Sequence, residues 1–272
     1  MRNAIIIVLF LLGLVLFFYP IVSDVIETRE HHTVINRYKS MMDSLDKDQI
    51  ETEKKKAKEH NEELMNSPVH YVDPFSETTK NKAENKSYYD ALNIGPAMGS
   101  IEIPKINIEL PIYHGTSEEI LSRGVGHLEN SSFPIGKPGT HSVLTAHRGL
   151  PSAKLFRNLD DLTIGDQFFI QMLDEVFAYQ VYRIEIVLPH ETDWLQIDEE
   201  EDLVTLLTCE PYMINTHRLL VMGKRIPFKE SIPLDHVQEK NNSIYLYSIP
   251  VLLFLIILII IFQRKKKGRV DI

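Results

Sequence analysis

The chain of 272 residues has one cysteine, Cys209, at the end of the run TLLTC over residues 205–209. A lone thiol cannot form an intramolecular disulfide, so it is either a small buried hydrophobe or a nucleophile. As a thiolate it would attack a carbonyl carbon, and it would need an imidazole to move protons and a cationic donor for the developing oxyanion. Eleven histidines are available. His31, His32, His60 and His70 fall in the N-terminal charged region, and His236 lies near the C-terminal apolar segment. His114, His127, His141, His147, His190 and His217 remain, and spacing alone does not choose among them. Neither H-E-x-x-H nor C-x-x-C occurs, so no zinc site and no cofactor is expected.

Strand periodicity suggests how such groups would meet. Residues 203–209 read as a strand whose Thr205, Leu207 and Cys209 share one face, with Cys209 at an end open to solvent. His147 closes the preceding apolar strand over residues 141–147, and Arg218 begins the strand after Cys209, so all three can converge at one rim. From Gly99 to Phe228 short alternating strands are broken by turn residues, and strong helical patterns are few. In the strand up to residue 188, Tyr182, Ile184, Ile186 and Leu188 are expected on one face, opposite Arg183 and Glu185. The predicted fold class is mainly β, a closed β-barrel with a few short helices.

The flanks are of another kind. Residues 4–22 and 244–262 are apolar and uncharged, each near the roughly 20 residues a helix needs to cross a bilayer. Arg2 precedes the first, and Arg264, Lys265, Lys266, Lys267 and Arg269 follow the second, which predicts both termini in the cytoplasm and the domain outside the cell. The first apolar run is longer than a signal-peptide core and lacks an A-x-A-like cleavage site, so an uncleaved anchor is favoured over a signal sequence. Setting aside those six cations and Asp271 leaves 23 basic against 37 acidic residues, or −14, between the spans. That balance excludes nucleic acid as the expected partner.

Between spans and barrel, residues 24–66 contain neither Gly nor Pro and place Val34, Ile35, Tyr38, Met41, Met42 and Leu45 at helical spacing, predicting a solvated helical stalk. Residues 76–86 are polar and read as a loop. The resulting partition is an anchor (1–23), a stalk (24–70), a loop and entry helix (71–98) and a catalytic barrel (99–228). A linker (229–243), a second span (244–263) and a basic tail (264–272) follow.

TLLTC followed by EPYMINTHRLLVMGKR resembles the signature of the sortases. The runs IEIPKINIELPIYHGT and GVGHLENSSFPIGKPGTHSVLTAHRGLPSAKLF, with two flanking spans, are similar to class C, the pilus-assembly group. The resemblance covers residues 71–228 and implies Cys209 as nucleophile, His147 as general acid and base, and Arg218 as stabiliser of substrate and oxyanion. It also implies that Asp73, Pro74 and Phe75 form a lid, with Asp73 pairing to Arg218 and the Phe75 ring over the sulfur. Three residues depart from the pattern: Glu210 where an uncharged Thr is common, Met213 for a usual Gly, and Met222 for a frequent Arg. A carboxylate at residue 210 would raise the thiol pKa unless it points to the other strand face.

The activity implied is transpeptidation. An LPxTG-like sorting signal is cut, the acyl group is held as a thioester, and a pilin lysine takes it up in an isopeptide bond. Pilin subunits and the membrane are the expected partners, with a monomeric catalytic domain. The rivals are attachment of surface proteins to a cell-wall precursor and a non-catalytic, membrane-tethered binding module.

Overall fold

The computed structural model describes residues 2–65, 72–75, 86–150 and 153–228. The second expected span, the linker and the basic tail lie outside the described residues, as does most of the 76–86 loop.

Helix α1 (Arg2–Ser44) runs unbroken through Pro20, and its apolar part is long enough to cross a membrane. Leu9, Leu12, Val15, Leu16 and Phe17 are all exposed along it. Farther on, His31, Ile35, Tyr38 and Met42 recur at the three- and four-residue spacing of one helix face, and all four are buried. The Tyr38 hydroxyl accepts a hydrogen bond from the Leu173 amide at 2.8 Å. The expected solvated stalk is therefore corrected: the stripe read from the sequence is real, but it seals against the barrel.

The chain turns at Asp46, which exchanges hydrogen bonds with Gln49 (2.9 and 2.8 Å) to cap α2 (Lys47–Met65). Asn61 of α2 pairs through its amide with both backbone groups of Phe133, at 2.7 and 3.0 Å, much as a neighbouring strand would. A short helix α3 (Lys86–Asp90) completes this clamp.

At the clamp, His60, Tyr88, His127 and Phe133 stack in one buried cluster, His60 lying 4.9 Å from the Phe133 ring. Tyr88 approaches His127 Nδ1 at 3.0 Å, while both ring nitrogens of His60 have no hydrogen-bond partner among the described residues. Burial, with the neighbouring His114, holds His60 down to about 4, and burial holds His127 down to about 3. The unfolded chain therefore takes up these protons first. The stability they contribute is complete above the unfolded histidine value near 6.5 and is lost as the pH falls toward 4, by about 2 kcal/mol for His60. Denaturant unfolding between pH 7 and 4.5 should show this slope, and His60→Leu should reduce it by about half, with the share of His127 remaining. An equal slope in the variant would locate the acid sensitivity elsewhere.

The eight strands are β1 (Gly99–Ile103), β2 (Ile108–His114), β3 (Val125–His127), β4 (Thr140–Thr145), β5 (Gln167–Met172), β6 (Glu175–Val187), β7 (Asp202–Glu210) and β8 (His217–Ile226). They close a barrel in the order β1-β2-β3-β4-β7-β8-β6-β5, in which β2–β3 and β4–β7 are parallel and the other described pairings antiparallel. Ile101, Ile103, Leu144, Val204, Leu206, Leu219 and Val221 belong to the main core. The opposite faces of β4, β7 and β8 build a second cluster from Val143, Leu207, Leu220 and Met222, roofed by Leu195 and Trp194. Period-two alternation along each strand separates the two sets.

Strand β6 departs from the expected alternation. Its register shifts between Val181 and Arg183, so the buried parity changes from Phe177, Tyr179 and Val181 to Ile184. Tyr182 falls at this bulge and is exposed; Ile184 and Ile186 keep the expected common face, opposite Val221 and Leu219, but Ile186 and Leu188 are exposed toward and beyond the strand end.

Candidate active site

Cys209 and Arg218 are direct cross-strand partners on β7 and β8. Both lie on the parity of Leu207, Leu220 and Met222, so their side chains join the outer cluster, not the barrel interior. His147 follows the last residue of β4 by two positions, and β4 runs parallel to β7 with Thr145 opposite Leu207. All three sequence-predicted residues thus reach one end of the barrel.

The thiol is less accessible than strand period suggested, for Cys209 is only 5% exposed. A separate stretch, residues 72–75, lies over this end. Asp73 accepts from Arg218 Nε and Nη2, both at 2.7 Å, and the Arg218 Nη1 group donates to the backbone oxygens of Asn215 and His217. The Phe75 ring sits 5.4 Å from the His147 ring and 5.2 Å from the Arg218 guanidinium, bridging the two. Burial pushes the Cys209 thiol up to about 11; Arg218 opposes this, and the carboxylates of Asp73 and Glu118 add to it.

Glu118 was not legible as a site residue. It opens helix α4 (Glu118–Arg123), capped by Ser117, and its carboxylate oxygens lie 3.0 and 3.1 Å from His147 Nε2. The Ser-Glu-Glu start marks a helix N-terminus in the sequence, but only the closed sheet brings it to a histidine 29 residues away.

Glu210 resolves in favour of the opposite face. Its carboxylate pairs with Arg148 Nη1, while Arg148 also reaches Asp160 at 2.6 Å and the Arg157 carbonyl at 3.0 Å. Arg148 is only 8% exposed, so the pair ties the residue after His147 to the residue after Cys209. Glu210→Gln leaves this guanidinium with Asp160 alone and should cost about 1–2 kcal/mol, a fall of about 2–6 °C in Tm by differential scanning calorimetry. Alkylation of Cys209 should be unchanged by it. Met213 adopts the left-handed backbone conformation (φ 64) usually left to Gly, and Met222 is buried in the outer cluster.

A narrow pocket continues from Arg218 across the outer face, lined by Leu207, Val187, Leu188, Trp194 and Leu195 together with Val72, Asp73 and Pro74. A closed barrel that presents one thiol beside an arginine and a histidine, at the head of an apolar groove, has the parts of a cysteine acyl-transfer enzyme. Comparison with known proteins agrees. The sortase domain family matches residues 101–226. Sortase D of Bacillus subtilis is 35% identical over 154 residues, covering 54% of this chain and 74% of that protein. Sortase A of Listeria monocytogenes is 24% identical over 226 residues, covering 82% and 91%. Among solved structures, Streptococcus agalactiae sortase C1 superposes with a TM-score of 0.67 at 45% identity, covering 72% of this chain and 99% of that one. Streptococcus pneumoniae sortase C gives 0.66 at 43%, covering 72% and 97%. The chain belongs to the sortase family, in its class C branch, and is a sortase-type cysteine transpeptidase.

Proposed function

We propose that this transpeptidase joins pilin subunits. Cys209 passes its proton to His147 and attacks the Thr–Gly carbonyl of an LPxTG-like signal, forming the S–C bond; His147 returns that proton to the departing glycine amine as the C–N bond breaks. A lysine amine of the next pilin then attacks the thioester, His147 takes its proton and passes it to the sulfur as the S–C bond breaks, and the thiol is released with an isopeptide bond made. Arg218 holds the substrate carbonyl and its developing charge. Residues 73–75 act as a lid that leaves before substrate enters. The catalytic domain works outside the cell between a span at 1–23 and a second at 244–263, with both termini in the cytoplasm.

The observation that carries this reading is the direct Cys209–Arg218 pairing beneath Asp73 and Phe75. Two relatives support the choice of substrate: the S. pneumoniae sortase C is described for its pilin substrate specificity, and an S. agalactiae sortase C1, 44% identical, belongs to a pilus island. The test is to incubate the full chain in detergent with an LPxTG peptide and map the acyl adduct by mass spectrometry. It should lie on Cys209 and move to a pilin lysine. Transfer only to a cell-wall precursor amine would replace polymerisation by anchoring, and no adduct on Cys209 would end the assignment.

A further inference from the structure

His141 lies on β4, far from the thiol in sequence, yet its buried ring ties two parts of the groove together. Nδ1 is 2.9 Å from the Gln196 backbone oxygen, and Nε2 is 2.8 Å from Thr205 Oγ1. A carbonyl only accepts, so Nδ1 carries the proton, and Nε2 must accept from the Thr205 hydroxyl. Burial at 2% exposure lowers the pKa of the ring and keeps it neutral, which leaves this one tautomer. Thr205 stands on the strand that carries Cys209, on the same face, four residues before it.

Gln196 follows the short 3₁₀ helix Asp193–Leu195, whose Trp194 and Leu195 form the groove wall opposite Pro74. The other hydrogen bonds of this connection among the described residues stay inside it. Trp194 Nε1 donates to the Glu191 oxygen, the Leu188 amide donates to the Glu191 carboxylate, and the Leu195 amide donates to Thr192. Among the described residues, His141 makes the side-chain hydrogen bond that joins this wall to the barrel. Apolar packing of Leu195 on Val143 and Leu207 sets the depth of the wall, but packing is non-directional and leaves its position along the strands to the hydrogen bond.

We propose that His141 is a positioning residue that fixes the groove wall at Trp194 and Leu195 against the catalytic strand, and so sets how well the enzyme holds the residues of the sorting signal that precede the scissile bond. This rests on the transpeptidase reading of the groove. Val72, Asp73 and Pro74 already line the same pocket as that wall, which therefore accepts a proline-bearing stretch of chain.

The experiment compares His141→Asn, His141→Gln and His141→Leu in the full chain. Asn places an amide donor near the Nδ1 position and can still reach the Gln196 oxygen; Gln places its amide near Nε2, toward Thr205; Leu keeps neither bond. With an LPxTG peptide, KM should rise about three- to tenfold for Leu and Gln while kcat stays within about twofold, and Asn should restore KM. Hydrogen exchange without substrate should show amides of residues 190–197 opening faster in Leu and Gln than in the wild type or Asn. Should Leu fail to fold, Asn against Gln still decides. Equal KM in all variants, an Asn variant as impaired as Gln, or unchanged exchange would overturn the proposal. Because the exchange arm needs no turnover, loss of the acylation reading would show separately as a wild type that forms no adduct.

Discussion

Replacing Arg218 with Lys is expected to slow formation of the Cys209 acyl-enzyme by about 10²–10³-fold, the range found when one preorganised oxyanion donor is lost. The side chain is 7% exposed and spends its donors in two directions. Nη1 is fixed to the backbone oxygens of Asn215 and His217, which orients the plane; Nε and Nη2 form a parallel pair toward Asp73. In the proposed mechanism a substrate replaces Asp73, and that same edge then faces the scissile carbonyl, already aligned. Lysine carries the charge but not the fork, so it can serve one of these directions at a time. Single-turnover acylation by quenched mass spectrometry, at saturating peptide, measures the effect. A rate within fivefold of wild type would remove Arg218 from the mechanism, and a change confined to KM would make it a binding residue only.

The second large effect concerns access to the thiol. At neutral pH a thiol held up to about 11 is almost wholly protonated, and the thiolate is the species that reacts. Burial is the main cause, with the carboxylates of Asp73 and Glu118 acting in the same sense and Arg218 against it. Replacing Asp73 and Phe75 together with Ala readmits water, removes one of those carboxylates and leaves Arg218 without its lid partner. All three changes favour the thiolate. Returning the thiol to its ordinary value near 8.5–9 raises the thiolate fraction at pH 7 by about 100-fold, and iodoacetamide labelling of Cys209 should rise accordingly. The pH profile of labelling should shift downward by about two units. Equal labelling rates in wild type and variant would mean that residues 73–75 do not control the thiol. Asp73→Ala alone should give a smaller gain, because the Phe75 ring still spans His147 and Arg218.

Both expectations place control at the same point. In the structure Arg218 is engaged by Asp73 and His147 Nε2 by Glu118, so the groups proposed to act on substrate are occupied by the protein itself. In this reading activation consists of releasing these partners, with the barrel already holding the thiol, imidazole and guanidinium at one end.

Much of this was legible beforehand. The alternation around residues 203–209 and 218–226 predicted strands, and resemblance to sortases picked out Cys209 through TLLTC, Arg218 through NTHR and, from eleven histidines, His147 through THSVLTAHRGLP. The stripe through Ile35, Tyr38 and Met42 marked a face in need of cover. Periodicity states that a face is apolar but not what it meets, and so the helices read as a stalk proved to be packed on the barrel. The same limit applies to β6, where one extra residue at the bulge reverses which parity is buried.

What the sequence by itself determined is the chemistry available: one nucleophile, candidate proton carriers, a cationic donor, an apolar anchor and strands to carry them. Closure of the barrel decided the rest, because contacts between residues distant in the chain depend on strand order and register. Only the fold sets Cys209 opposite Arg218, brings Asp73 to a guanidinium 145 residues away, places Glu118 on His147 and sends Glu210 to Arg148 and away from the thiol. It also turned a thiol expected at an open strand end into one that is 5% exposed, since exposure depends on what packs around a residue, and residues 73 and 75, distant in the chain, pack on its strand partner Arg218.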